Sequence, residues 1–212
     1  MDPLIHILPI AIVGTFGAAI ALERFMALYL LYPLPRTSKF FSQIREFVLD
    51  DRIHDAVRLC ERYRSKPISH VVRQALIKAS QPEELVEQSL AIAVSQMTQR
   101  VQKRVHFLTT IANVSTLLGL FGTILGLINS FQALGGVSAQ QRAILLSNGI
   151  STAMTATLLG LGVAIPIMLL YSIMASRTNR HVAEIEEAAM RSMEILREHY
   201  YRVDEQKPSE VA

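Results

Sequence analysis

The sequence predicts an all-α polytopic membrane protein with three transmembrane helices, two of them extended into a cytoplasmic helical region. Three observations predict it. Half of the 212 residues are hydrophobic and only 18% are charged, against about a quarter in an ordinary soluble domain. Charge is missing from three stretches, approximately Pro3–Leu22, Phe107–Leu134 and Ala143–Ala175, and a bilayer core is crossed by about 20 helical residues. No stretch shows the apolar–polar alternation of a strand.

The first element, residues 1–32, reads as a transmembrane helix with a periplasmic N-terminus. Ala19-Ile20-Ala21 has the small-residue look of a signal cleavage site. A signal peptide opens on a basic region, however, and no positive charge precedes Arg24. Glu23 and Arg24 end the span as a membrane-interface pair, with Arg24 snorkelling toward the cytoplasmic headgroups. His6 and His106 likewise read as interfacial.

Residues 33–106 form a cytoplasmic helical segment. Pro33 and Pro35 break the chain as it leaves the membrane, and Leu49-Asp50-Asp51 and Ser65-Lys66-Pro67 read as turns. Ser80-Gln81-Pro82-Glu83-Glu84 is a helix start, with Ser80 or Gln81 as cap, Pro82 in the first turn and acids at the positive end of the dipole. Nothing in the sequence predicts a break from there to Leu134. Residues 107–134 are the second transmembrane helix, residues 135–142 a periplasmic loop turning at Gly135-Gly136-Val137-Ser138, and residues 143–175 the third transmembrane helix. In the cytoplasmic helical tail, 176–212, Val182, Ile185, Ala189, Met193 and Leu196 recur every three or four residues, a stripe suited to packing on neighbouring helices. Gln206–Ala212 reads as disordered.

The net charge of +3 follows from topology and not from nucleic acid. Nineteen of the 21 Lys and Arg lie between Pro33 and His106 or after Ser176, the bias of cytoplasmic segments, and no aromatic-and-basic nucleic-acid motif competes with it. The lone Cys60 excludes an internal disulfide or a Cys-cluster metal site. No phosphate-cradling loop, metal-ligand spacing or nucleophile–base pair is present, so the chain is expected to be no enzyme and to hold no cofactor or metal.

The informative residues are in spans two and three. At 100° per residue, Gly119, Gly122, Gly126 and Ser130 all fall within about 60° of Ser115, and Gly122 and Gly126 form a G-x-x-x-G pair. Gly149, Ala153, Ala156, Gly160 and Ala164 share a face of span three. Such faces let helix backbones approach closely, and plain packing explains each glycine taken singly. Thr116 and Thr123 edge the first stripe. Thr152 and Thr157 flank the second, with Ser151 and Thr155 further round. One threonine in a membrane helix commonly satisfies itself on the carbonyl a turn back; a row of them beside small residues suits a narrow, uncharged polar passage. Asn113, Asn129 and Asn148 are candidates for interhelical hydrogen bonds. Pro166 is expected to kink span three. Proton relay inside a membrane usually needs a carboxylate, histidine or other readily titrating group, and spans two and three contain no Asp, Glu, Lys, Arg or His. A proton path here therefore requires a partner chain with an acidic residue in its own membrane helix.

Two segments resemble the signatures of the ExbB/TolQ/MotA proton-channel family: Leu118-Gly119-Leu120-Phe121-Gly122-Thr123-Ile124-Leu125-Gly126-Leu127-Ile128-Asn129-Ser130-Phe131, and Gly149-Ile150-Ser151-Thr152-Ala153 through Ala156-Thr157 and Gly160-Leu161 to Val163-Ala164-Ile165-Pro166 and Tyr171. Glu23-Arg24 also resembles the end of the family's first span. Three spans place the chain nearer ExbB and TolQ than the four-span MotA. The resemblance implies a homopentameric ring in a bacterial inner membrane. The ring would surround an ExbD/TolR-like single-span protein whose membrane Asp carries the proton, and it would drive a TonB/TolA-like or motility effector. It places Thr123 and Thr157 on the family's pore threonines. Thr152 stands where ExbB and TolQ usually carry Glu, so the carboxylate of the usual pore is missing. The function implied is a stator subunit coupling the proton motive force to work in the envelope, in TonB-dependent uptake, Tol-Pal or gliding-type machinery. The alternative is a non-conducting scaffold assembled around a single-span partner.

Overall fold

A computed structural model describes residues 4–34, 37–135 and 138–206, without the side chains of residues 4–7, 139 and 203–206. The side chain of His6, Pro35, the middle of the Gly135–Ser138 turn and the tail beyond residue 206 thus lie outside the described residues. All described secondary structure is helical: α1 (Leu4–Met26), a π-helical turn (Ala27–Leu31), α2 (Thr37–Leu49), α3 (Ile53–Arg62), α4 (Pro67–Ile77), α5 (Glu83–Gln102), α6 (Val105–Gln132) and α7 (Ala139–Gln206). Three helices are long and apolar enough to cross a membrane by length and composition. The chain divides into two compact units. The first holds the residues up to Phe25 and Arg104–Ala175; the second holds Met26–Lys103 and the residues from Ser176 on.

In the first unit α1 lies against both other apolar helices through its glycines. A Cβ on Gly14 would stand 3.1 Å from a Val163 methyl, and one on Gly17 would stand 2.7 Å from Ile167 Cδ1 and 2.9 Å from Ile111 Cγ2. Lipid offers no hydrophobic drive for helix association, so contact of this kind, close and between small and branched residues, holds membrane helices together. The outward faces stay apolar: Leu117, Phe121, Met154, Leu158 and Leu169 are each more than half exposed, as bilayer-facing side chains would be.

The second unit is built from amphipathic helices. α2 packs on α3, α3 on α4 and α4 on α5. α5 buries Val86, Leu90, Ala93, Met97 and Val101, one stripe at helical spacing. The α2–α3 turn passes through Asp51 at φ 58°, a left-handed position that Asp tolerates better than most residues. The turn before α4 ends with Pro67 as its first residue, where the missing N–H costs nothing. The start of α5 differs by one position from the sequence expectation: Pro82 itself is the cap, at φ −50° and ψ 144°, with no side-chain cap bond. Its fixed φ and extended ψ suffice to launch the helix.

Cys60 is fully buried, and its hydroxyl neighbour Ser69 donates to the Cys60 carbonyl at 2.7 Å. Burial pushes the thiol up to about 12. Since only the thiolate reacts, a maleimide at pH 8 should leave Cys60 unmodified in the folded protein and label it fully after denaturation; rapid native labelling would contradict this packing.

α7 runs without interruption through Pro166 and past Ala175. In the second unit its buried positions are Thr178, His181, Ile185, Ala188, Ser192, Met193, Ile195 and Leu196. Ile185, Met193 and Leu196 of the expected stripe are buried, whereas Val182 and Ala189 are only half-buried. The buried face also takes in three polar residues, Thr178, His181 and Ser192, that hydrophobicity does not flag. His181 shows why they tolerate burial. Its Nε2 lies 2.9 Å from the Leu28 carbonyl and its Nδ1 3.0 Å from a Glu184 carboxylate oxygen. Each ring nitrogen thus faces a polar oxygen, and neither is left without a neighbour able to hydrogen-bond. A Leu28 carbonyl in the π-helical turn gains its partner this way.

The expectation of an unbroken helix from Glu83 to Leu134 is not met. α5 ends at Gln102, Lys103 is extended at φ −51° and ψ 132°, and Arg104 takes the left-handed conformation at φ 68° before α6 begins. A non-glycine residue there costs about 1 kcal/mol or more, and neither Gly nor Pro marks the break.

Candidate ion-path surface

The first unit brings the two small-residue faces together. On α6, Ser115, Gly119, Gly122, Gly126 and Ser130 are buried; on α7, Ala153, Ala156, Gly160 and Ala164 are buried and Gly149 is half-buried. The helices are closest where Gly119 meets Gly160. A Cβ on Gly160 would lie 2.7 Å from the Ser115 carbonyl oxygen and 2.9 Å from Gly119 Cα, and one on Gly119 would lie 3.1 Å from the Ala156 oxygen. Further along, Gly126 faces Ala153, whose Cβ stands 3.0 Å from where its own would be, and Gly149 leaves the space that the Ser130 side chain fills. Backbone meets backbone along this seam, so it cannot accommodate added carbon.

The hydroxyls divide into two kinds. Thr157, half-buried, reaches across the seam and donates to the Gly119 carbonyl at 3.4 Å. The others bond within their own helix: Thr116 to Ala112 at 3.1 Å, Thr123 to Leu120 at 2.6 Å, Thr152 to Asn148 at 2.9 Å and Thr155 to Ser151 at 2.9 Å. Each of these hydroxyls has spent its proton and keeps lone pairs for an outside donor. Thr116, Thr152 and Thr155 are exposed and Thr123 is half-buried beside the seam. Asn113 and Asn148 are exposed as well, and Asn129 is half-buried. Ser115 Oγ is buried without a partner among the described residues. The pattern is a tight seam with polar, uncharged positions along its margins and on the outer surface of α7.

At the other end of α6 stands a charged junction. Arg104 Nη1 donates to both Glu23 carboxylate oxygens at 2.7 Å, and Arg24 Nη2 donates to Glu23 at 3.1 Å. Arg24 is 5% exposed, and its Nε and Nη1 have no partner among the described residues. A buried guanidinium is not a snorkelling one, so Arg24 departs from the sequence expectation. Arg104, by contrast, is exposed, in a position that the unforeseen helix break creates. His106 lies with its ring 6.4 Å from that of Tyr171, consistent with an interfacial residue.

The profile of the MotA/TolQ/ExbB proton channel family matches residues 62–187. A biopolymer transport protein ExbB homolog of Methanothermobacter thermautotrophicus is 32% identical over 183 residues, 84% of this chain and 62% of the relative. The Tol-Pal system protein TolQ of Haemophilus influenzae is 33% identical over 116 residues, 55% of this chain and 48% of the relative. An ExbB-like biopolymer transport protein of Synechocystis is 43% identical over 79 residues, 37% of this chain and 38% of the relative. The chain thus spans between about half and 62% of the length of the first two of these relatives. Because the family match takes in more than half of the chain, all of α6 and α7 as far as Glu187, this multi-pass membrane protein belongs to the MotA/TolQ/ExbB proton channel family, whose members are transport stators and not enzymes.

Proposed function

We propose that the chain is the stator and proton-channel subunit of an inner-membrane motor that converts the proton motive force into mechanical work in the cell envelope. The observation that carries this reading is the α6–α7 seam, bordered by Thr123 and Thr157 and free of any Asp, Glu, Lys, Arg or His from Phe107 to Gln132 and from Ala143 to Ala175. Its topology is a periplasmic N-terminus, a cytoplasmic segment over residues 33–106, a periplasmic loop over 135–142 and a cytoplasmic tail. Several copies, five by family likeness, form a ring through the exposed apolar and threonine-bearing faces of α6 and α7. The ring encloses the membrane helices of an ExbD/TolR-type partner, and the partner's Asp carries the proton past the Thr123 and Thr157 lone pairs. Thr152, in place of the family's usual Glu, leaves the partner as the sole carboxylate donor. The relatives' names favour TonB-type or Tol-Pal work, and an archaeal relative leaves other envelopes open.

A scaffold that holds a partner helix without conducting would have the same seam. Proton flux into proteoliposomes separates the two. The chain alone should show none, because a relay lacks its titratable group. Chain and partner together should conduct, and Asp→Asn in the partner's membrane helix should reduce flux by about tenfold or more. A complex that assembles and conducts nothing would overturn the proton-channel reading in favour of the scaffold.

A further inference from the structure

The second unit contains a feature that the proposed ion path does not use. Between α3, the turn before α4, α4 and the end of α5 lies a crevice of about 710 Å³. Arg64, Arg73, Arg100 and His70 line it, with Glu61 as the one carboxylate. Three guanidiniums against one carboxylate are an unbalanced set for a cleft within a folded unit, where like charges repel unless something offsets them. Glu61 does little to offset them: it meets Arg73 Nη2 at 3.4 Å, with both side chains at least a third exposed. The side chains of Arg64 and Arg100 have no hydrogen bond or ion pair among the described residues. Elsewhere in this unit arginines are engaged more closely, as Arg45 is by Glu198 at 2.7 and 2.9 Å and Arg197 by Glu83 and Glu87 at 2.5 and 3.0 Å.

Two polar atoms at this crevice are buried and unsatisfied, Arg73 Nε and His70 Nδ1. A buried donor without a partner costs about 1–3 kcal/mol, and more when the group is charged. Burial, then Arg73 and Arg100, hold the His70 imidazole below its usual range, so the ring is neutral in the empty crevice and can donate or accept at Nδ1. Ser65 adds a hydroxyl to the lining, whereas that of Ser69 is committed to the Cys60 carbonyl. Guanidinium forks, a hydroxyl and an imidazole are the set that recognises a tetrahedral oxyanion, because each guanidinium matches two of its oxygens at once. A carboxylate would use one fork; three forks call for more acceptor oxygens than a carboxylate has. We propose that this crevice is a binding site for a phosphate-bearing anion. Two sources share that chemistry. One is a soluble phosphomonoester or inorganic phosphate. The other is the headgroup of an anionic lipid, for which there is a local argument: Lys66 Nζ donates to the Leu31 carbonyl at 2.7 Å, tying the Arg64–Lys66 turn to the last residues of the first span.

The test uses the purified full chain in detergent and in nanodiscs, with the Arg64→Gln/Arg100→Gln double variant. Both arginines are without partners, so the variant should fold and melt as the parent does. Line broadening of inorganic phosphate in ³¹P NMR, against a chloride control, reads the soluble source. Retention of phosphatidic acid over phosphatidylcholine in native mass spectra reads the lipid source. In at least one arm the parent should bind, and the double variant should bind at least about tenfold more weakly. Glu61→Gln, which removes the opposing carboxylate, should tighten binding severalfold. No binding in either arm, or equal binding by parent and double variant, would overturn the site, including the case in which an acidic segment of a second copy fills the crevice. Proton flux is independent of this readout, so failure here leaves the ion-path proposal untouched.

Discussion

Gly160→Val abolishes the folded membrane unit and, with it, any assembly. A single Cβ at this position already falls 2.7 Å from the Ser115 carbonyl oxygen and 2.9 Å from Gly119 Cα. The obstructing atoms are backbone, which cannot rotate away as a side-chain tip would. Gly160→Ala must push α6 and α7 apart and should cost about 1–3 kcal/mol, the usual penalty of overpacking. Val adds two further carbons and a branched Cβ, so the loss should exceed that. Gly162 is the internal control, because a Cβ there would meet nothing within 4 Å. Gly162→Ala should leave assembly unchanged or slightly improved, since Ala is the better helix former. Thermal melts of the detergent-solubilised protein and its elution volume read both. If Gly160→Val assembled as the parent does, the seam would not be the contact that holds this unit together.

Thr123→Val with Thr157→Val should have the opposite profile, an intact assembly that does not conduct. Val nearly matches Thr in volume, and neither hydroxyl is the sole support of a helix. Thr123 bonds within its own turn, and Thr157 makes a long 3.4 Å bond across the seam. The cost in stability should be within about 1 kcal/mol per site. Proton flux of the complex with its partner should fall by about tenfold or more, because a carrier carboxylate would lose the hydroxyls that stabilise it along an otherwise apolar wall. Thr155→Val, on the exposed side of α7 away from the seam, should change flux little. Full activity in the double variant would remove the mechanism from the proposal while leaving the packing argument standing.

The contrast between these two variants reflects what could be read from the sequence. Helical periodicity alone places Ser115, Gly119, Gly122, Gly126 and Ser130 on one line, and the absence of charge sets the three apolar stretches apart. Both signals are local and repeated over many residues. Other features depend on contacts between distant segments. Nothing near Lys103 and Arg104 announces a left-handed residue; the break becomes understandable only when Arg104 is seen holding Glu23, 81 residues away. The buried face of α7 includes, beside its apolar residues, His181, Thr178 and Ser192, which a hydropathy pattern counts as surface, and His181 is burial-tolerant because Leu28 and Glu184 supply its partners. The arginine-lined crevice draws on Glu61, Arg73 and Arg100 from three helices, and in sequence they are simply part of a basic cytoplasmic segment. The threonines occupy a middle position. Their placement beside the small stripe is local and readable, whereas whether they face a passage depends on neighbouring chains.

That dependence makes composition of the assembly the most direct test of the central claim, that this chain is a stator subunit built around a carboxylate it does not itself possess. The chain would be co-expressed with the ExbD/TolR-type single-span protein of its own genome and the intact mass of the purified complex measured. The expected result is several copies of this chain around a smaller number of partner copies, each partner bearing an Asp in its membrane helix. A complete ring that forms and persists without the partner, or a chain that never associates with it, would contradict the account.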